Sequence, residues 1–289
     1  MLRTVPARPL PPEPTGDTPV IGMPGQRRPR AYGSTRLQVY LCGGHGNRLA
    51  WAFAEGARAR LCELAEPARS GWDVWLWGLL RGTLEVIAAA RLGGQPWWYA
   101  DHAYFLRGHA TANYRVTLRG WQLSRRLDVP GDRWRRLAPH VPVRPWRTGG
   151  HHVLVCPPTW PVLQATAAGN WLEETLAELA RHTDRPIRVR HKHQMGNPPL
   201  SADLADCHAL VTQHSVAAIE AALAGIPVVV APSSAAAPVG LMDLSMVESP
   251  AYPDREAWLH SLAYGQFHLD EFRSGAAWRI LRETQRGVA

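Results

Sequence analysis

VTQHSVAAIEAALAGIPVVV, Val211 to Val230, is the stretch whose reading decides the fold. Two runs rich in β-branched residues flank an alanine-rich run that ends at Gly225 and Pro227. This reads as strand, turn, helix, turn, strand. Strands joined through a helix lie parallel, so the stretch predicts a crossover unit of an α/β sheet. Val216, Ile219 and Leu223 form one stripe and alanine fills most other positions, which predicts a helix buried on nearly every side. Glu220, four residues after Val216 and one turn before Leu223, falls within that stripe, and a buried carboxylate requires partners. A ligand with paired hydroxyls, such as a ribose, is one partner; a protein donor is the other. Thr212 to Ser215 form the turn ahead of the helix, where open N–H groups and the Ser215 hydroxyl suit a phosphate. A plain N-cap serine is the structural alternative.

The same alternation extends upstream. HHVLVCPPT (151–159) reads as a strand ending in a Pro-Pro loop, NWLEETLAELARHT as an amphipathic helix, RPIRVRHKH as a strand and HALVTQ as another. Strand periodicity puts Arg188, Arg190 and Lys192 on one face, opposite Ile187 and Val189, a set suited to an anionic leaving group. His151, His152, His191 and His193 lack the other members of a recognised zinc site, so no metal ligand is assigned. RPWRTGG (144–150) reads as a linker to a first half that also opens with a strand (Leu37 to Cys42) and a glycine-rich turn (Gly43, Gly44, Gly46), followed by a helix from Asn47. The turn matches neither G-x-G-x-x-G nor a P-loop, so a ligand loop and a merely tight turn both remain open. His45 within it is one candidate base. Trp97 to Ala100 should be a strand that delivers Asp101 and His102 to the carboxyl edge, where open α/β sheets bind ligands. Neighbours on an extended chain point to opposite faces, so only one of that pair faces a cleft.

The chain has 289 residues, 32 Lys and Arg against 24 Asp and Glu, and a net charge of +8. That length admits two modest domains. Ten arginines between Arg107 and Arg147, against Asp128 and Asp132, account for the whole excess. Arg115, Arg119, Arg125, Arg126, Arg135 and Arg136, interleaved with Trp121 and Trp134, form a mixture suited to phosphate contacts and stacking on bases or sugars. Cys42, Cys62, Cys156 and Cys207 are scattered without a C-x-x-C pair, as expected of reduced core thiols in a cytoplasm. The most membrane-like stretch, GWDVWLWGLLRGTLEVIAAA, is interrupted by Asp73, Arg81 and Glu85, so no membrane insertion is expected. Residues 1–35, rich in Pro and Arg, read as a flexible arm.

The run from Ser215 through Glu220, Ala221, Gly225 and Pro227 resembles the nucleotide-sugar motif of GT-B glycosyltransferases, nearest to the capsular-polysaccharide type, roughly N-S-[ST]-x-x-x-E-A-x-x-x-G-x-P. His214 stands where that family commonly has Asn. The resemblance covers about residues 151 to 232 and implies an α/β GT-B fold, two Rossmann-like domains whose parallel sheets face a cleft. The implied division is 36–147 for the acceptor side, 148–250 for the nucleotide-sugar side and 251–289 for C-terminal helices. It further implies that Glu220 holds the donor ribose, that Ser215 with Thr212 and His214 holds the diphosphate, and that Arg188, Arg190 and Lys192 receive the leaving group. The absence of a D-x-D motif fits a metal-independent hexosyltransferase with a nucleotide-sugar such as UDP-glucose as co-substrate and no other cofactor. YADHAYF and DREAWLHSLAYGQF also resemble phage and prophage proteins. Together with the arginine-rich segment, they point to 5-hydroxymethylated pyrimidines in double-stranded DNA, such as 5-hydroxymethylcytosine, as the acceptor. A capsular or surface polysaccharide is the competing acceptor. A non-catalytic nucleic-acid-binding protein on a transferase scaffold is the reading from a different class.

Overall fold

The first half of the chain builds one sheet around an order reversal. In the computed structural model, which describes residues 34–107, 111–192 and 198–286, the chain begins with β1 (Leu37–Leu41), α1 (His45–Ala57), β2 (Arg60–Glu63), β3 (Asp73–Trp77), α2 (Thr83–Leu92) and β4 (Trp97–His102). β1 pairs in parallel with β2 on one side and β3 on the other, and β3 pairs with β4. Strand order therefore reverses between β1 and β3. Strand alternation sends Val39, Trp75, Trp98 and Ala100 to the α1 face, against Phe53. Tyr40, Val74, Leu76 and Tyr99 go to the opposite face, against Val86 and Ile87 of α2. With helices on both faces, the reversal between β1 and β3 is the place where an open α/β sheet offers a ligand edge.

The arginine-rich segment contains an element that its charge conceals. β5 (Asn113–Leu118) runs antiparallel beside β4, with Tyr114 and Val116 in the α1-side core. After α3 (Asp132–Leu137), the second sheet forms from β6 (His152–Cys156), α4 (Trp160–Thr166), α5 (Trp171–Leu179), β7 (Ile187–Val189), α6 (Leu200–Asp203), β8 (Cys207–Thr212), α7 (Ala217–Leu223) and β9 (Val228–Val230). Its order is β7-β6-β8-β9, parallel throughout, as the strand–helix alternation predicts. This order also reverses beside its first strand, between β6 and β8.

The C-terminal segment departs from the expected pair of helices. α8 (Glu256–Tyr264) is followed by β10 (Gln266–His268), α9 (Leu269–Arg273) and α10 (Ala276–Leu281). β10 pairs antiparallel with β5, completing a first sheet of order β10-β5-β4-β3-β1-β2. Phe267, Phe272 and Trp278 bury against the face of α1, which is why the chain returns there. The architecture is thus α/β, with two parallel-rich sheets of six and four strands and helices at the C-terminus.

The expected division near residue 148 separates sheets but not cores. Tyr104, Phe105, Leu123 and Trp134 share one buried cluster with Leu210, Ile219, Ala222, Trp258 and Leu262. The linker is pinned to α7: the Arg144 and Arg147 N–H groups donate to the Leu223 and Gly225 carbonyls, both at 2.8 Å. Gly225 has a left-handed backbone (φ 82°), and a Cβ there would collide with the Pro145 carbonyl, so this motif glycine is required by packing. All four cysteines are buried and free, as expected of core thiols. Among the described residues no helix is long and apolar enough to cross a membrane. The expected arm lies outside the described residues up to residue 33.

Candidate functional site

The two reversal points define two neighbouring edges. At the first, alternation along β4 separates Asp101 from His102. His102 follows Trp98 and Ala100 onto the α1 face, where its ring meets Trp77 edge-on at 5.3 Å. His45 opens α1, packs against Trp77 at 6.1 Å and shares a 2.7 Å hydrogen bond between Nε2 and the Tyr114 hydroxyl. Two of the three candidate bases therefore converge on one indole. Gly46 is buried beneath that ring; a Cβ there would lie 2.6 Å from Trp77 Cδ1. Gly43 and Gly44 lie under the Arg81 guanidinium.

Asp101 faces the other way and is engaged. Its carboxylate accepts from Arg115 Nη2 at 2.7 Å, from the Tyr99 hydroxyl at 3.0 Å and from the His102 N–H at 2.7 Å. Burial alone would raise its pKa, but the Arg115 charge and these donors outweigh burial and hold the carboxyl below its ordinary range. A carboxylate so occupied is a poor base, so the expectation for Asp101 gives way to a structural ion pair.

At the second edge, the reading of Glu220 is corrected. The buried face of α7 is made by Ala218, Ile219, Ala221 and Ala222, whereas Val216, Glu220 and Leu223 lie on its half-exposed flank. Ile219 and the alanines, small enough to bring α7 against β8, take the buried face and leave Val216, Glu220 and Leu223 on the flank. Glu220 is 37% exposed and forms an ion pair with Arg107, from the loop that leaves β4. Burial and the like charge of Arg115 lower the pKa of that guanidinium. The carboxylate that was expected inside the helix packing thus faces a cation from the first sheet.

The other donor-side candidates divide. Thr212 is buried and donates to the Cys156 carbonyl at 2.5 Å, inside the sheet, so it is not available to a phosphate. Ser215 Oγ accepts from the Ala217 N–H at 3.2 Å, a local cap. His214 is 9% exposed, hydrogen-bonded through Nε2 to Ser233 Oγ, and its burial lowers its pKa to about 4. β7 ends at Val189, so the expected three-cation face is not continuous. Arg190 pairs with Asp203, while Arg188 and Lys192 are exposed. His193 lies outside the described residues. Among the described residues no cluster of three His, Cys, Asp or Glu is placed to hold a metal ion.

No protein-family model matches the chain. No curated protein matches it. Among solved structures, it is similar to KpsC of Thermosulfurimonas dismutans, a beta Kdo 2,4 transferase, at 12% identity and a TM-score of 0.46, over 80% of this chain and 91% of that one.

The arginine and tryptophan set does not form one outward face. Arg115 is buried in its pair with Asp101, and Trp134 is buried against Phe105. Trp121 packs on Trp97 and Tyr99. Arg125 donates to the Gln285 carbonyl at 3.0 Å and Arg126 to the Pro238 carbonyl at 3.2 Å. Arg136 pairs with Asp132, and Arg119, Arg126, Arg135 and Arg136 are the exposed members. The reason is β5 together with the shared core: a segment threaded between two sheets spends its cations on carbonyls and carboxylates.

Sequence reasoning missed Trp77, Arg81, Arg107, Tyr114 and Gln122. Gln122 joins the sheets, donating to the His214 carbonyl at 2.6 Å and accepting from the Ala235 N–H at 2.8 Å. Tyr114 could have been found only by recognising β5; the other four carry no local pattern.

Proposed function

We propose that the protein is a glycosyltransferase that takes a nucleotide-sugar at the edge of the second sheet and passes the sugar to a hydroxyl acceptor at the edge of the first. The observation that carries this reading is the position of Glu220: a half-exposed carboxylate on the helix after β8, directed to the first-sheet loop through Arg107. A carboxylate there can accept both hydroxyls of a ribose, with the donor taking the place of the guanidinium. Arg107, Arg188 and Lys192 are the cations that would neutralise a departing diphosphate without a metal. His45 or His102 accepts the proton of the acceptor hydroxyl; its oxygen forms a bond to the anomeric carbon, and the bond from that carbon to the diphosphate oxygen breaks with its electron pair.

UDP-glucose is the donor to try first. A saccharide hydroxyl is the acceptor this geometry favours, because most arginines that spoke for hydroxymethylated DNA are engaged within the protein. The test incubates wild type and Glu220→Ala with UDP-glucose and other nucleotide-sugars, with surface-polysaccharide fragments or DNA containing 5-hydroxymethylcytosine as acceptor. Product is read by mass spectrometry. A Glu220-dependent hexose gain on saccharide supports the reading; a gain on DNA keeps the transferase and reverses the acceptor. Nucleotide-sugar binding that is absent, or unchanged in Glu220→Ala, rejects it.

A further inference from the structure

Arg81 has no part in the donor site, and its backbone at the first edge is left-handed. The turn from β3 to α2 contains three left-handed residues, Gly78 (φ 71°), Arg81 (φ 63°) and Gly82 (φ 88°). Glycine adopts this conformation freely, but a residue with a Cβ does so at a cost. The strained backbone sets the Arg81 guanidinium over the loop leaving β1. A Cβ on Gly43 or Gly44 would meet Arg81 Nη1 at 3.1 or 3.0 Å, so the absence of side chains there makes room for the cation. In return the guanidinium makes one long contact, Nη1 to the Cys42 carbonyl at 3.5 Å. It is exposed. Among the described residues no carboxylate lies within ion-pair distance of it, Glu85 one turn onward included.

A planar fork of donors held over a glycine turn at the sheet edge, with no carboxylate among the described residues to pair it, suits an oxyanion. We propose that Arg81 binds the phosphate or carboxylate group of an anionic acceptor whose hydroxyl is presented to His45 at the same edge. The role in the acceptor rests on the transferase reading; the oxyanion site itself does not. His45 follows Gly44 directly, and His102 approaches from β4 around Trp77. An acceptor anchored by its anion on Arg81 therefore lies beside both imidazoles, and a neutral acceptor forgoes that anchor.

The test needs no donor. The full-length chain is titrated separately with inorganic phosphate and with acetate, following the Arg81 Nε–H and the Gly43 and Gly44 amide resonances. Melting temperature is measured in parallel for Arg81→Gly and Arg81→Lys. A saturable shift at these three positions is expected in wild type; at the Gly43 and Gly44 amides it should be at least tenfold weaker in Arg81→Lys and absent in Arg81→Gly. Arg81→Gly should melt at the same temperature or higher, because glycine relieves the strain. Stronger binding of phosphate or of acetate identifies which acceptor anion the site takes. A shift that survives in Arg81→Gly, the lack of any shift in wild type, or a lower melting temperature in Arg81→Gly would each overturn the proposal, the last by making Arg81 a structural clamp on the loop. If the anion binds as expected while no nucleotide-sugar does, the transferase reading fails and the oxyanion site stands.

Discussion

The two sheets reverse strand order in the same way, at β1/β3 and at β6/β8, yet their carboxyl edges carry opposite chemistry. The first edge is aromatic and basic, with His45, His102, Trp77 and Tyr114 on one face, Arg81 above them and the Asp101–Arg115 pair on the other face. The second carries a carboxylate, Glu220, a hydroxyl, Ser215, and a deeply buried imidazole, His214, on a helix of small residues. Topology decides where a ligand can lie, and the residues at the strand ends decide what it can be. On the proposed reading, one edge accepts a proton and holds an anion, and the other holds a diol.

The sharpest way to break this contrast is to unsettle the first edge from below. Arg115 is 6% exposed at its side chain and is the charged partner of Asp101. Arg115→Ala should cost about 3–5 kcal/mol, because it leaves the carboxylate buried without its cation. Chemical denaturation checks this. The double variant Asp101→Asn with Arg115→Met should recover much of the loss. If Arg115→Ala lowers turnover at unchanged stability, the pair belongs to the chemistry and the division of β4 into a structural and a reactive face is wrong.

Acid should separate the two edges. The His214 imidazole titrates at about 4 in the fold because burial disfavours its charged form, whereas an ordinary histidine titrates at 6.5. Between these values the unfolded chain binds more protons than the native one, so stability falls as pH falls, by on the order of 3 kcal/mol across the window. Asp101 contributes stability above its ordinary pKa of 3.8 that is lost only at lower pH. His214→Asn should therefore flatten the stability profile between pH 6.5 and 4 and leave the more acidic limb in place. Unfolding free energies over that range decide it; identical slopes in both proteins would mean that His214 is not the titrating group.

Glu220 tests the second edge directly. Glu220→Ala should weaken nucleotide-sugar binding by about 1.5–3 kcal/mol, roughly 10- to 150-fold, the worth of hydrogen bonds to a charged acceptor. Titration calorimetry with UDP-glucose reads this, and Arg107→Ala provides the contrast. If Glu220→Ala binds as tightly as wild type while Arg107→Ala does not, the second edge keeps its cation and loses its diol site.

These expectations were unequally legible in the sequence. Apolar runs alternating with helical ones were enough to place every strand of the second sheet, and period-two alternation foretold that Asp101 and His102 would part. The burial of Glu220 was misjudged because apolar spacing does not reveal which flank of an alanine-rich helix meets the sheet. Ile219 with alanines 218, 221 and 222 forms the contact, and Val216, Glu220 and Leu223 lie on the rim. β5 was hidden because Arg115 interrupts its apolar pattern, and a cation buried by a distant carboxylate has no local signature. The same blindness made the arginine-rich segment read as surface. Its partners, such as Glu271 for Arg133 and the Pro238 carbonyl for Arg126, lie more than a hundred residues away.

The finest test concerns how His45 is held. Tyr114 is 2% exposed and its hydroxyl lies 2.7 Å from His45 Nε2. Burial raises the pKa of that phenol, which keeps it neutral. For His45 to take a proton at Nδ1, Nε2 carries the hydrogen and donates to the phenol oxygen, an arrangement that favours the charged imidazolium. Tyr114→Phe removes about 0.5–1.5 kcal/mol of hydrogen bonding, so turnover near neutrality should fall about three- to tenfold while the fold persists. The diagnostic is the pH–rate profile, whose acid limb should move to lower pH as the imidazole, without its acceptor, becomes harder to protonate. The same profile measured for His102→Gln should keep its acid limb in place. If instead that limb disappears in His102→Gln and stays put in Tyr114→Phe, the proton goes to His102, and the Tyr114 hydroxyl serves only to pack α1 against β5.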